Sequence, residues 1–209
     1  MPNFPLPLDL TAAHALSSIH SQCWKLLNTA ARGNEAGWRL PVLATSMQNG
    51  CRQRTVVLRN VQADRASLLF HTDKRSPKVQ QIEADPNVSL LFYDHDLAAQ
   101  LQIEGTANIH QNDDLATMVW EEGTPASLKM YCAPLVPGVV CQTAEFNTPA
   151  SLQGRIPDRA EILSGQSTFC VIEVVANTIE WLRLSRDGNL RARFFYEAGR
   201  LQTAEWMAP

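Results

Sequence analysis

The sequence predicts an α+β protein, a mainly antiparallel β-barrel flanked by helices. Three observations carry that expectation. One amphipathic helix pattern comes first, short strand patterns then follow in close succession, and the later helices do not alternate with strands as a parallel doubly wound sheet requires. No Gly-x-Gly-x-x-Gly follows any strand, so the usual dinucleotide fingerprint is missing as well.

The first helix is expected from Thr11 to about Ala31, capped by Asp9 or Thr11, with Leu16, Ile19, Cys23, Trp24, Leu26 and Leu27 on its apolar face and Gly33-Asn34 at its end. Arg39 to Met47 reads as a strand, Asn49-Gly50 as a hairpin turn, and Arg52 to Val61 as the returning strand. Ala66 to Thr72 is a third strand. Ser76-Pro77 then opens a helix ending near Asp85-Pro86, since proline at the first helical position gives up an amide proton that has no intrahelical partner. Asn87 to Tyr93 is a fourth strand. Ala99 to His110 is a fifth, alternating Leu101, Ile103, Gly105, Ala107 and Ile109 with Gln102, Glu104, Thr106 and Asn108. Asp113 and Asp114 open a helix through Met118, Val119 and Trp120, where the helix dipole favours acidic residues, and a short helix follows from Pro125 to about Tyr131. Residues 134–157 show little clear periodicity and are expected to form a loop, either ordered and functional or partly mobile. Phe169 to Leu184 and Leu190 to Tyr196 close the chain as strands around Asp187-Gly188.

The length of 209 residues suits a single domain over 1–209. Charged residues make up only 19% of the chain, which hints at a surface buried between copies. A formal net charge of -3 gives no broad basic face for nucleic acid or an anionic membrane. Residues 1–7 carry neither a basic cluster nor an apolar run of the length a signal peptide or membrane span needs, so cytoplasmic residence is expected. The five cysteines are widely spaced, with no Cys-x-x-Cys and no histidine at zinc-ligand spacing. They are expected to be reduced structural thiols, and no metal site is expected.

The chemistry concentrates in one window of 25 residues: Arg54-Thr55-Val56-Val57-Leu58-Arg59, then Phe70-His71-Thr72, then Ser76-Pro77-Lys78. A phosphate dianion asks for cations, hydroxyl donors and free helix-start amides, and this window supplies all three. Taken singly, each residue has a plainer reading. Arg54 and Arg59 suit solvated edge charges, Lys78 a surface lysine, Gln100 a solvated strand position and Trp181 core packing.

On these residues, in this order, the chain resembles the pyridoxamine 5'-phosphate oxidase family of FMN-binding split barrels, most sharply over Arg54 to Gly105 and Trp181 to Phe195. The resemblance implies that Arg54, Thr55, Val56, Val57, Leu58 and Arg59 form the FMN-holding strand, with Arg59 where the family has a closing lysine. It implies that His71, Thr72, Ser76 and Lys78 grip the cofactor, with Pro77 in place of one family arginine. Gln100 would reach FMN from the partner subunit, and Trp181 and Arg193, or Arg191 in another register, would pack on the flavin. A homodimer with FMN at the subunit interface and a small-molecule substrate follow from the same likeness.

The family's substrate side is less well matched. Its middle segment here is Val119-Trp120-Glu121-Glu122-Gly123-Thr124-Pro125-Ala126-Ser127, without arginine and with two acids, and its Arg-Leu-His triplet appears as Asn189-Leu190-Arg191. Arg59, Lys129 and Arg191 are the substitute substrate-side cations. The resemblance therefore implies an FMN-dependent oxidoreductase of unidentified substrate, with no catalytic residue assigned. Two alternatives stand beside it: a genuine pyridoxamine or pyridoxine 5'-phosphate oxidase, and a non-catalytic flavin- or haem-binding module with His71, His95 and His110 as available ligands. A hydrolase lacks the Gly-x-Ser-x-Gly signature.

Overall fold

A computed structural model of the chain describes residues 5–6, 9–11, 14–33 and 37–209. Its contacts divide it into two compact units, one of Met1–Phe70, Asp85–Ala107 and Glu173–Pro209, the other of His71–Ala84 and Asn108–Ile172.

The first unit opens with α1, Ala15–Arg32, which buries Ala15, Ile19, Cys23, Trp24, Leu27 and Ala30 on one stripe. Full burial of side chains such as Ile19 and Leu27 contributes about 1.5–3 kcal/mol each. The helix begins at Ala15 rather than Thr11, and neither expected cap serves it. Asp9 accepts instead from the Thr11 amide at 2.8 Å and hydroxyl at 2.7 Å, and His14 stands at the N-cap without a side-chain bond. Residues 12 and 13, and Asn34 at the other end, lie outside the described residues. Gly33 closes the helix through its amide to the Thr29 carbonyl at 3.0 Å.

Arg39 belongs to a short 3-10 turn, Gly37–Arg39, and the first strand, β1, is Val42–Met47. It pairs with β2, Gly50–Thr55, in a register that sets Met47 opposite Gly50. The turn is thus Gln48-Asn49, one residue earlier than expected, because Gly50 takes the φ of +122° that side chains resist. The expected strand from Arg52 to Val61 is two strands. β2 ends at Thr55, the Val56 amide turns to the Pro41 carbonyl at 3.0 Å, and β3, Leu58–Gln62, follows with a register shift at Arg59.

The other strands are β4, Ser67–Asp73; β5, Asn87–Asp94; β6, Ala99–His110; β7, Phe169–Arg183; β8, Leu190–Glu197; and β9, Arg200–Met207. The nine-stranded sheet runs β2-β1-β5-β6-β7-β4-β3, with β8 on β7 and β9 on β8, and the pairs with a stated register are antiparallel. β9 has no counterpart in the sequence reading. Its residues are nearly all exposed or half-buried, so it carries no alternation to read. Gly105 on β6 is required by close approach: a Cβ there would lie 2.4 Å from the Val175 carbonyl oxygen of β7.

The second unit contains α2, Pro77–Ala84; α3, Asp114–Glu122; and α4, Pro125–Leu128. Its core gathers on Phe169, whose ring lies 4.8 Å from Tyr131, 5.3 Å from Trp120 and 5.2 Å from His71. Asp113 caps α3 by accepting from the Ala116 amide at 2.9 Å. The helix expected to reach Tyr131 stops at Leu128, and Lys129–Cys132 continues as 3-10 turns. A further 3-10 segment, Arg159–Ser167, starts with a capping box of Asp158 and Glu161. The sequence reading did not select this start; the Asp-x-x-Glu spacing was the available signal, with only a weak apolar pattern behind it.

Candidate functional site

Three of the residues expected to grip a phosphate meet in the second unit. β4 carries Thr72 one residue before its end at Asp73, a tight turn follows, and α2 begins at Pro77, so Thr72, Ser76 and Lys78 come together around the helix start. The Lys78 ammonium donates to Ser76 Oγ at 2.6 Å and to Thr72 Oγ1 at 2.9 Å. Both hydroxyls are buried, 4% and 7% exposed, which fixes their oxygens rather than leaving them to solvent. The oxygens accept from Lys78, and each hydroxyl keeps a proton of its own to donate. One ammonium and two aligned hydroxyls at the first turn of a helix form a donor set that fits a phosphate monoester.

Two neighbours went unselected in the sequence. Asp73 is buried and takes Arg75 in a fork, with Arg75 Nη2 at 2.7 Å from Asp73 Oδ2 and Nε at 3.0 Å from Oδ1. Arg75 also reaches the Ala133 carbonyl at 2.7 Å, so this cation ties the turn to the segment after α4. The spacing Asp-x-Arg was the available signal, but it reads equally as a surface pair. His71, half-buried, packs edge-on against Phe169.

Arg54 lies in the first unit. It stands opposite Leu43 and donates from Nη1 to Thr45 Oγ1 at 2.6 Å and to the Leu43 carbonyl at 3.4 Å. Burial and the nearby Arg52 lower its pKa from the ordinary arginine value, which marks a guanidinium drawn inward against its charge preference. Thr45, buried to 1% exposure and missed in the sequence, is its anchor. Thr55 is exposed, Val56 and Val57 are half-buried in the break between strands, and Leu58 is fully buried. Arg59 sits at the register shift of β3, and its Nε is buried without a hydrogen-bond partner among the described residues. Bulges of this kind re-aim side chains and recur beside functional sites.

Gln100 on β6 is half-buried directly opposite Tyr93 on β5. Trp181 is fully buried, opposite Ala192. Arg191 and Arg193 share one carboxylate. Arg193 Nε donates to Glu180 Oε1 at 2.7 Å, and Arg191 Nη2 makes a shorter bond to Glu180 Oε2. Burial opposes the charge on Glu180, but the bonds and charges of the two arginines outweigh it and hold its pKa below the ordinary glutamate value. In the second unit Lys129 donates to the Arg155 carbonyl at 2.8 Å and the Leu152 carbonyl at 3.4 Å. Among the described residues no three His, Cys, Asp or Glu gather as a metal site, and no helix is long and apolar enough to cross a membrane.

Residues 21–111 match the family model described as pyridoxamine 5'-phosphate oxidase, FMN-binding domain. A pyridoxine/pyridoxamine 5'-phosphate oxidase of Edwardsiella ictaluri is 29% identical over 150 residues, 69% of this chain and 64% of that protein, so the chain spans less than two thirds of this relative's length. A pyridoxamine 5'-phosphate oxidase-related, FMN-binding protein from Nostoc punctiforme superposes with a TM-score of 0.68 at 22% identity, covering 95% of this chain and 98% of its own. PhzG from Burkholderia lata, solved with tetrahydrophenazine-1-carboxylic acid, superposes with a TM-score of 0.67 at 16% identity over the full length of both chains. These likenesses show the fold, the antiparallel split-barrel class.

Proposed function

We propose that the chain, whose residues 21–111 match the model described as pyridoxamine 5'-phosphate oxidase, FMN-binding domain, belongs with that family, binds FMN and works as an oxidoreductase on a small molecule. The observation that carries this reading is the meeting of Lys78, Thr72 and Ser76 at the start of α2. In the proposal these three hold the phosphate, with His71 beside them in the same unit; Arg54 and the main chain of residues 54–59 are proposed as cofactor contacts on their own account. Gln100, Arg193 and Trp181 serve the flavin end, Trp181 from within the core as support for its neighbours. Bound FMN supplies an electron-accepting ring; the side chains bind it, orient it and set the charge around it. Arg191 and Arg193, fixed by Glu180, are cations held in place for the side of the ring where negative charge collects on reduction.

The proposal includes a homodimer with FMN at the subunit interface. Support comes from the sheet face that carries Leu91 and Tyr93, 40% and 49% exposed, with Gln100 opposite Tyr93. Cytoplasmic residence accords with five free cysteines. Neither nucleic acid nor membrane enters this reading. Purified protein should be yellow and release FMN identifiable by mass spectrometry, and holoprotein should be bleached by a reductant and recoloured by an oxidant. Colourless protein that takes up no added FMN would end the proposal.

A second reading, oxidation of pyridoxamine or pyridoxine 5'-phosphate, is favoured by the 29% identity over 150 residues to an enzyme of that name. Of its substitute cations, Arg191 is already paired with Glu180 and Lys129 with two carbonyls. Formation of pyridoxal 5'-phosphate with the holoprotein would establish it, and a flavin left oxidised by both vitamers would exclude it.

A further inference from the structure

Residues 134–157, unreadable from the sequence, are stitched into an ordered loop by side chains bonding to backbone. Asn147 brackets Leu135, accepting from its amide and donating to its carbonyl, both at 3.0 Å. Gln153 Nε2 donates to the Thr148 carbonyl at 2.8 Å, and Arg155 both donates to the Ser151 carbonyl at 2.8 Å and forks onto Glu161. Lys129 fastens the far side through the carbonyls of Leu152 and Arg155. The bonds are numerous enough that the loop's surface is a defined shape.

That surface contains a cavity of about 510 Å³ lined by Lys129, Phe146, Thr148, Gln153 and Gly154. The size falls inside the range of about 300–1,000 Å³ usual for small-molecule sites. Phe146 is 82% exposed and has no ring partner among the described residues, although the chain on its C-terminal side is pinned by Asn147. Holding a phenyl ring in water is unfavourable, and a flat ligand laid on it would remove that cost and add the stacking preference of two rings. Lys129 has three N–H donors, two of them directed at carbonyls, so one remains. None of the five lining residues is acidic, which leaves the ammonium as the cavity's net charge.

We propose that the cavity of Lys129 and Phe146 binds a planar aromatic carboxylate, with the ring on Phe146 and the carboxylate on the third N–H of Lys129. Gln153 and Thr148 line the rest and offer polar partners to ring substituents. As the substrate class of the oxidoreductase this rests on the flavoprotein reading above; as a binding site it does not.

The test is a calorimetric titration of the full-length protein, with and without FMN, using 2-naphthoate, its neutral analogue 2-naphthalenemethanol, and the non-aromatic anion cyclohexanecarboxylate. Naphthoate should bind with unit stoichiometry and about tenfold tighter than either control, each of which lacks one of the two interactions. Phe146→Ala should weaken it by about the same factor with FMN content and melting midpoint unchanged, Lys129→Gln should weaken it likewise with FMN content unchanged while the loop loses the two carbonyl bonds of Lys129, and Phe146→Tyr should restore binding. Equal affinity for the three ligands, or native affinity in both variants, overturns the site. Loss of FMN together with naphthoate in the variants also overturns it, since the cavity would then belong to the cofactor. Protein that binds naphthoate as described but never FMN would sink the flavoprotein reading alone.

Discussion

Lys78 is the most exacting residue of the proposed phosphate cluster, because a single ammonium orients both buried hydroxyls. Replacing it by methionine keeps the length of the side chain and removes the charge. Charged hydrogen bonds contribute about 1.5–3 kcal/mol, so Lys78→Met should weaken FMN binding by roughly ten- to a hundredfold in a flavin-fluorescence titration. Ser76→Ala, which deletes one neutral donor, should cost about 1 kcal/mol. Unchanged affinity in both would remove this cluster from the cofactor site. Arg191 and Arg193 act as a pair: both guanidiniums are held by the Glu180 carboxylate, and Arg193 also lies 3.8 Å from Glu205.

At the scale of elements, α1 is fastened to β8 by a polar knot. The Trp24 indole lies 3.0 Å from the Tyr196 hydroxyl and 3.1 Å from His20 Nε2, and Tyr196 OH and His20 Nε2 are 2.6 Å apart. With the indole donating to Tyr196 and the phenol to His20, Nε2 must be unprotonated, and burial accordingly lowers the His20 pKa from its ordinary value. Burial raises the Tyr196 phenol and the Cys23 thiol, so both stay neutral across the same range. Between the folded and unfolded pKa of His20 the unfolded chain binds more protons. The stability from this knot is therefore complete above the unfolded value of about 6.5 and is lost as pH falls through the folded one. The melting midpoint should drop between about pH 7.5 and pH 5.5, and His20→Gln should shrink that drop. An identical pH dependence in the variant would show that the acid sensitivity arises elsewhere. On the sheet, Gly105→Ala would push a Cβ to 2.4 Å from the Val175 carbonyl and should destabilise by about 1–3 kcal/mol in urea unfolding.

For the whole molecule the telling surface is the face of β5 that carries Leu91 and Tyr93. Each alternates with a buried neighbour, Leu90 or Phe92, so the second half of the strand is apolar on both sides, whereas Asn87 and Ser89 hold the same outer face in its first half. A second copy on this face would explain it and would bring the Gln100 that pairs with Tyr93 into the interface. Tyr93→Glu should then convert a dimer into a monomer of 23.2 kDa by light scattering and lower the FMN content with it. A native monomer, or a variant dimer with full FMN, would dissociate the cofactor site from this face.

The sequence by itself determined the strands with clear alternation, the longer helices, the antiparallel character, and the residues that meet at the start of α2. Those features depend on neighbours in the chain, on alternation along β6 and on a proline and a serine at a helix start. Tertiary structure decided the rest. It broke the strand carrying Arg54 and Arg59 in two, because the Val56 amide bonds to Pro41 rather than to a strand partner. It formed β9 from an exposed segment with no pattern of its own, through pairing with β8. Residues 134–157 gained their order from bonds between side chains and distant carbonyls, and Arg191 and Arg193 gained theirs from a glutamate on the next strand. Local periodicity records which face of an element is buried; it carries no record of the partner on the other side of a hydrogen bond, and in this protein the candidate site is built mainly from such partners.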